Sequence, residues 1–322
     1  MQNNEQLQPL LLFKDQFNFE PKIRNGESLK NYDDYLVCGM GGSAISVSFL
    51  KMLFPLLPIS LHNFYGLPKN SRARTLVIVN SYSGNTEEAI DSYTKAIKEG
   101  LSVIAISKGG ELLRLAKEAG LPYIELPESG LEPRFAIGHQ MVAILTSALA
   151  KNNLKTLRDA ANKIGQEKSI EVGTVLASRF TSIYPVLYSS PLLYPLIYPI
   201  KAAVNEGAKL PSFANVISEA NHNELQGFIV DESRNESSNF GFLFFVSTFD
   251  NERIKKRIQV MKDLYSSKGF VCEEILVDHS SPSSLLEALF LGYSFATALA
   301  IHRNVNPYST PFIQEFKKLM TQ

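Results

Sequence analysis

Short apolar runs alternate with helix-length amphipathic segments through the first half of this sequence. Turn residues bound each run, as expected of a strand, and the longer segments repeat apolar positions with helical spacing. The strand candidates are 35–38, 59–64, 75–79, 102–107 and 123–126, and the helix candidates are 44–53, 86–98 and 111–119. Strands joined through helices need crossover connections, which produce a mostly parallel sheet with helices on both faces. The pattern therefore predicts an α/β fold.

The second half repeats this alternation after two more helix candidates, at 137–150 and 155–164. Its strand candidates are 184–188, 242–248 and 272–277, and its helix candidates are 191–208, with proline kinks, 252–268 and 283–304. The chain has 322 residues, which is more than a single hydrophobic core usually contains. We therefore predict an N-terminal arm at 1–24 and two related domains at 25–152 and 153–322.

The turn after the third strand candidate is rich in hydroxyl groups. Residues 80–87 are Asn-Ser-Tyr-Ser-Gly-Asn-Thr-Glu, between an apolar run and a helix candidate. Ser81, Ser83 and Thr86 can present hydroxyls to an anion, and the helix N-terminus favours negative charge. Gly84 allows close approach of the backbone. The turn predicts a phosphate site, although the same residue types are also ordinary helix caps.

A second turn, Gly-Met-Gly-Gly-Ser at 39–43, follows the first strand candidate. Ala44 stands where a dinucleotide-binding loop has its third glycine, and no acidic partner ends the second strand, so the pattern disfavours NAD. Ser43 either bonds a phosphate or caps the helix that follows. Ligands of parallel sheets bind at the carboxyl ends of the strands, where both turns are expected to lie.

Composition excludes several classes of protein. The 32 basic and 32 acidic residues balance, and no long run of Lys or Arg indicates a nucleic-acid surface. Two cysteines in so long a chain indicate no disulfide framework and favour a cytoplasmic location. We expect Cys38 to be a small buried thiol and not a nucleophile. The apolar stretch at 184–200 contains four prolines, so we expect core and not a membrane span.

Five blocks of sequence carry a resemblance to a known family. They are the two turns, at 37–44 and 80–87, then Glu-Pro-Arg at 132–134, Asn-Glu-Gly-Ala-Lys at 205–209, and Glu-Ala-Asn-His-Asn-Glu at 219–224. In this order they resemble the sugar isomerase (SIS) domain, and specifically the archaeal-type bifunctional phosphoglucose/phosphomannose isomerases. The resemblance covers nearly the whole chain. It implies two SIS-type domains, each a doubly wound, flavodoxin-like, mostly parallel sheet flanked by helices.

The resemblance implies an aldose–ketose isomerase that interconverts glucose 6-phosphate and mannose 6-phosphate with fructose 6-phosphate through an enediolate. It assigns Glu206 as the base, His222 as the group that protonates the ring oxygen, and Arg134 as the cation that stabilises the enediolate. Glu224 is a weaker candidate, which either orients His222 or caps the next segment. We prefer the capping role.

The resemblance also assigns substrate contacts. The residues assigned to the substrate phosphate are Ser43, Ser81, Ser83 and Thr86, with Gly42 beside the substrate. The C-terminal segment at 309–318 resembles a closing helix that brings a lysine back to the site. We choose Lys317, although Lys318 fits if the alignment shifts by one residue. Thr310 corresponds to a threonine associated with accepting both epimers, and before proline it equally suits an N-cap.

By resemblance the protein is a homodimer with shared active sites, in which the partner chain contributes the histidine. We expect a small sugar phosphate as ligand, no cofactor, and no metal, since the remaining histidines lack metal-site spacing. Two residues depart from the family pattern: Glu132 stands where a glutamine is expected, and Gly207 where an asparagine is common. The alternatives are a SIS-type sensor that binds a sugar phosphate without turnover, and an isomerase of another phosphosugar, such as a pentose or heptose phosphate.

Overall fold

The computed structural model describes residues 5–69, 74–228 and 239–320, which divide into two compact units. The N-terminal unit is Leu12–Lys163, and the C-terminal unit joins Met1–Leu11 to Ile164–Gln322. These limits differ from the arm and the boundary predicted from the sequence. The guanidinium of Arg158 donates to the carbonyls of Phe17 and Phe19, at 3.1 and 2.7 Å, which holds the end of the predicted arm in the N-terminal unit. The helix α1 (Gln8–Leu11) belongs to the C-terminal unit.

The N-terminal unit is a doubly wound sheet with helices on both faces, as predicted. Its strands are β1 (Ile23–Arg24), β2 (Asp34–Cys38), β3 (Ile59–His62), β4 (Thr75–Asn80), β5 (Ser102–Ser107) and β6 (Tyr123–Glu125). Its helices are α2 (Gly42–Leu53), α3 (Glu87–Lys98), α4 (Gly110–Glu118), α5 (Ile137–Ser147) and α6 (Lys151–Ala161). The strand order is β1-β6-β5-β4-β2-β3, and only the edge strand β1 is antiparallel to its neighbour in the described sheet. The order reverses between β2 and β4, so a ligand crevice is expected at their carboxyl ends.

The central strands are apolar because both of their faces are covered. Every residue of β4 is buried, and Leu36, Val77 and Val79 pack with Tyr93 of α3 in one apolar cluster. Cys38 belongs to the same cluster, and burial raises the pKa of its thiol to about 12. The burial of Cys38 confirms the prediction of a small buried thiol, and a thiol with a raised pKa is a poor nucleophile.

His139, in α5, makes the stability of this unit depend on pH. The ring is 7% exposed and packs edge-on against Phe19, and burial lowers its pKa from 6.5 to about 4. Between these values the unfolded chain binds a proton that the folded chain does not, so the free energy of unfolding falls as the pH is lowered. We expect a loss of up to about 3 kcal/mol between pH 6.5 and 4. Urea titrations should show this loss in the wild type and in the exposed control His302→Gln. If His139→Gln keeps the full loss, the attribution to His139 is wrong.

The C-terminal unit repeats the same winding with four described strands. Its strands are β7 (Tyr184–Ser189), β8 (Phe213–Val216), β9 (Phe240–Ser247) and β10 (Val271–Val277). Its remaining helices are α7 (Gln166–Ser178), α8 (Tyr194–Ala203), α9 (Glu224–Gly227), α10 (Glu252–Ser267), α11 (Pro282–His302) and α12 (Pro311–Met320). The order β10-β9-β7-β8 is parallel throughout. Two mostly parallel α/β sheets were predicted, and both are present.

Two elements of this unit lacked a clear sequence signal. The helix α7 was missed because small residues form most of its buried face. A Cβ on Gly173 would lie 2.8 Å from the backbone nitrogen of Phe295 in α11. The strand β8 is a short edge strand after a proline. The helix α11 has the length and composition of a membrane-spanning helix, but 78% of its most apolar window is buried, as in a core helix.

Candidate active site

The hydroxyl-rich turn follows β4 at the point where the strand order reverses. The hydroxyl of buried Ser81 donates to the hydroxyl of Thr86 at 3.0 Å and accepts from the backbone N–H of Gly84 at 3.1 Å. The hydroxyl of Ser83 accepts from the backbone N–H of Asn85 at 3.3 Å. Thr86 is the residue before α3. The turn therefore gathers three hydroxyls at a helix N-terminus, where negative charge is favoured.

Gly84 allows the hydroxyl-rich turn to pack closely against the start of α4. Its φ is +75°, and a Cβ there would lie 1.8 Å from the carbonyl oxygen of Gly109. Asn85 adds a side-chain contact, because its Oδ1 accepts from the backbone N–H of Glu111 at 2.9 Å. These close contacts leave no room for a side chain at position 84, so the shape of the turn depends on glycine.

Ser43 connects the glycine turn to the hydroxyl-rich turn. It lies in the first turn of α2, and its buried hydroxyl donates to Gln140 Oε1 at 2.7 Å and accepts from the backbone N–H of Tyr82 at 3.3 Å. The carbonyl oxygen of Ser43 accepts from Asn80 Nδ2 at 3.3 Å. The two predicted phosphate loops are therefore in direct contact. A phosphate contact from Ser43 stays a prediction.

Arg134 lies on the loop that covers the start of α2. A Cβ on Gly42 would lie 2.5 Å from the carbonyl oxygen of Pro133 and 3.2 Å from the backbone nitrogen of Arg134. Arg134 as a residue is 3% exposed, and its Cζ atom lies 4.9 Å from the ring centre of Phe135. The structure thus brings the predicted arginine loop against the predicted phosphate turns of the same unit.

Gln140 joins these segments and was missed in the sequence. It is fully buried in α5; its Oε1 accepts from Ser43 and from Asn80, and its Nε2 donates to the carbonyls of Pro133 and Ala136, both at 3.3 Å. The available signal was a primary amide in a largely apolar helix, where a buried amide requires internal hydrogen-bond partners.

We predict that Gln140→Leu weakens both the fold and phosphate binding. Leucine has a similar volume but leaves two donors and two carbonyls without their partner, which costs about 2–4 kcal/mol. The measurement is urea unfolding together with calorimetric titration of a sugar phosphate. As a control, Gln259→Leu removes an exposed amide from α10 and should change stability by about 0.5 kcal/mol or less. Equal effects of the two substitutions would contradict the positioning role.

Glu206 lies in the C-terminal unit, in a π-helical turn, Val204–Ala208, that directly follows α8. Its side chain is half-buried. Single π-turns inside helices are rare and are frequent at functional sites, because the extra residue changes the direction in which side chains point. The sequence predicted a helix here, and the π-turn refines that prediction.

Lys209 is a second residue whose role was missed. Its ammonium group donates to the carbonyls of Glu206, Gly207 at 3.2 Å, Asn306 at 2.9 Å and Ser309 at 2.7 Å. These bonds tie the turn that carries Glu206 to the loop that ends at Thr310, immediately before α12. Two predicted site residues, Glu206 and Thr310, therefore come from segments joined by one lysine.

Gly207, one of the two departures from the family pattern, leaves space beside this turn. A Cβ there would meet only the carbonyl oxygen of Pro307, at 3.6 Å, which is an ordinary contact. The position therefore accepts a Cβ atom without rearrangement.

His222 is exposed at the end of the short 3-10 turn Ala220–His222. The cap of the next helix, α9, is Asn223, whose side chain accepts from the backbone N–H of Glu224. The preferred capping role of Glu224 is therefore wrong. Its carboxylate instead accepts from Tyr188 Oη at 2.7 Å and from Asn215 Nδ2, which joins α9 to β7 and β8. Burial, with the bond to Glu224, raises the pKa of Tyr188.

The predicted closing helix is α12. Thr310 precedes it, with Pro311 in the first helical position, and the carbonyl of Thr310 accepts from the backbone N–H of Gln314 at 3.0 Å. Lys317 and Lys318 both lie in the last turn and are exposed. Within the described residues no group of three or more His, Cys, Asp or Glu side chains could hold a metal ion. That the protein uses no metal stays a prediction.

Comparison with known proteins identifies the family. The family described as bacterial phospho-glucose isomerase C-terminal SIS domain matches residues 170–320. A bifunctional phosphoglucose/phosphomannose isomerase of Thermoplasma acidophilum is 31% identical over 99% of this chain and 97% of its own length. A D-glucosamine-6-phosphate 4-epimerase of Sulfolobus acidocaldarius is 34% identical over 64% of this chain and 65% of its own.

Solved structures share the fold. The glucosamine-6-phosphate deaminase of Thermotoga maritima superposes with a TM-score of 0.67 at 15% identity, over 96% of this chain and 98% of its own. At that identity the likeness supports the two-sheet SIS architecture and nothing about chemistry. The near full-length match to the Thermoplasma protein carries the assignment: this chain belongs to the bifunctional phosphoglucose/phosphomannose isomerase family.

Proposed function

We propose that the protein interconverts glucose 6-phosphate and mannose 6-phosphate with fructose 6-phosphate, without a cofactor or a metal ion. The observation that carries the proposal is the cluster at the switch point of the first sheet, where Ser43, the hydroxyl-rich turn and the loop of Arg134 adjoin one another. Family membership supports the same reaction. In this proposal the protein acts in the cytoplasm.

The substrate phosphate is held at the N-terminal ends of α2 and α3. The hydroxyls of Ser81 and Thr86 lie 3.0 Å apart, so one phosphate group can accept a hydrogen bond from each of them. Ser43 and Ser83 supply two further hydroxyls. Gly42, beside the substrate, lets the loop of Arg134 pack against the start of α2. A phosphate fixed in this way positions C1 and C2 for reaction.

Glu206 is the base. Its carboxylate takes the proton from C2 of the open-chain aldose, the electrons of that C–H bond form the C1–C2 double bond, and the C1 carbonyl oxygen takes the negative charge. Arg134 stabilises this enediolate. Glu206 then returns the proton to C1, and the hydroxyl proton moves from O2 to O1 to give the ketose. In reverse, protonation of either face of C2 yields the glucose or the mannose configuration, with Thr310 beside that carbon.

The proposal includes a homodimer in which exposed His222 serves the site of the partner chain. An imidazole suits protonation of the ring oxygen near neutral pH, which opens the cyclic sugar. Lys317 of the closing helix contributes a positive charge to the same site.

Proton NMR of fructose 6-phosphate with the protein in deuterated water tests the reaction and its specificity together. We expect glucose 6-phosphate and mannose 6-phosphate, both labelled with deuterium at C2. Unchanged substrate, with binding retained, would instead support a sugar-phosphate sensor. That outcome would contradict the proposed isomerase activity.

A second candidate function is the conversion of another phosphosugar. It is considered because one relative is a D-glucosamine-6-phosphate 4-epimerase. Glucosamine 6-phosphate added under the same conditions distinguishes the two. A change of configuration at C4, with fructose 6-phosphate unchanged, would favour the epimerase.

A further inference from the structure

The helix α12 is amphipathic and none of its residues is buried. Its apolar side chains recur at positions i, i+1, i+4, i+7 and i+8, which lie on one side of a helix. These residues, the α12 stripe, are Phe312, Ile313, Phe316, Leu319 and Met320, with exposed fractions of 83%, 40%, 63%, 61% and 54%. The stripe leaves on the order of 500 Å² of apolar surface open to water.

An exposed helix of this length is not stable by itself. Helices shorter than about 12 residues are marginal in water, and most of their stability comes from packing an apolar face. The ten residues of α12 therefore need a covering surface.

The C-terminal unit exposes a second apolar surface, which we call the α8 patch. The patch comprises Leu192, Tyr194, Tyr198 and Phe213, which are 44%, 37%, 44% and 53% exposed. The rings of Tyr194 and Tyr198 lie 6.0 Å apart, and α8 packs on the edge strand β8 that carries Phe213. Aromatic side chains in such a patch are typical of protein interfaces.

We propose that the α12 stripe of one chain docks on the α8 patch of a second copy. Under two-fold symmetry the contact occurs twice, so stripe and patch together bury on the order of 2,000 Å². This exceeds the roughly 1,000 Å² that a specific interface requires. The inference rests on the proposed homodimer and defines the surface that forms it.

Docking also distinguishes the two lysines of α12. At about 100° per residue, Lys317 lies about 40° beyond Ile313, at the border of the stripe, whereas Lys318 lies about 100° or more from either border. In the docked helix, Lys317 lies at the edge of the contact between the α12 stripe and the α8 patch. From there we expect it to contribute its charge to the active site. Lys317→Ala is therefore expected to lower kcat by about 10-fold or more, and Lys318→Ala to leave it within about 2-fold.

Sedimentation velocity at micromolar concentration tests the contact with a matched pair of substitutions. Phe316→Asp places a charge in the stripe, and Gln314→Asp places the same charge on the opposite side of the helix. We expect a dimer for the wild type and for Gln314→Asp, and at least a 100-fold weaker dimer for Phe316→Asp with an unchanged circular dichroism spectrum. A monomeric wild type, or a dimeric Phe316→Asp, would overturn the proposal.

A crosslink locates the contact even if Phe316→Asp does not fold. In a Cys272→Ser background, Phe316→Cys combined with Tyr198→Cys should form a disulfide between chains on oxidation, whereas Gln314→Cys with Tyr198→Cys should not. A dimer in which the first pair fails to crosslink excludes the α8 patch. The turnover assay of the wild type is independent: a dimeric wild type without turnover rejects the isomerase, and turnover by a dimeric Phe316→Asp rejects only the interface.

Discussion

Glu206→Gln is expected to lower kcat for isomerisation by about 1,000-fold or more while sugar-phosphate binding is retained. Glutamine has the size and shape of glutamate, so the π-turn and its bonds to Lys209 persist, but an amide cannot accept the proton from C2. The phosphate is held by other residues, and its affinity should change by no more than a few fold. A coupled assay for glucose 6-phosphate formation measures kcat, and calorimetric titration with fructose 6-phosphate measures affinity.

The control for this substitution is Glu252→Gln, which removes an exposed carboxylate at the start of α10. It should leave kcat within about 2-fold, as surface substitutions usually do. Near-normal turnover of Glu206→Gln would show that another group is the base. Loss of binding together with turnover would place Glu206 in substrate binding instead.

Gly84→Ala is expected to have the second largest effect, on phosphate affinity and on stability. The alanine Cβ would overlap the carbonyl oxygen of Gly109 at 1.8 Å, in a backbone conformation with φ of +75°. Strain and overlap together should cost about 2–5 kcal/mol, and the turn must shift to relieve them. Because the turn presents Ser81 and Ser83, affinity for a sugar phosphate should fall at least 100-fold.

Gly100→Ala separates the strain from the overlap. Gly100 also has a positive φ, +68°, but a Cβ there meets nothing within 4 Å. This variant should lose only about 1–2 kcal/mol and keep normal affinity. If Gly84→Ala binds the sugar phosphate as tightly as Gly100→Ala, the turn is not the phosphate site.

The fold was predictable because its strands are buried on both faces. Such strands appear as continuous apolar runs, seen in β4 and β9, and the turns between them carry the glycines and serines that a switch point needs. The prediction failed where packing of small residues replaced apolar periodicity, as in α7. It also did not anticipate the π-turn, because a one-residue insertion in a helix leaves no regular pattern.

Within the candidate site, residues that face a ligand were easier to recognise than residues that hold them in place. Ser81 and Thr86 stand in a turn whose chemistry suggests an anion. Gln140 and Lys209 act through hydrogen bonds to segments far away in the sequence, so their roles depend on tertiary structure. Glu206 and His222 were identified by the resemblance of their sequence blocks to the family.

A crystal structure of Glu206→Gln with bound fructose 6-phosphate tests the central claim most directly. The account predicts phosphate oxygens within about 3.2 Å of the hydroxyls of Ser81 and Thr86. It also predicts the side chain of residue 206 within about 3.5 Å of C1 or C2 of the sugar. A phosphate bound away from the hydroxyl-rich turn, or residue 206 remote from both carbons in every subunit, would contradict the account.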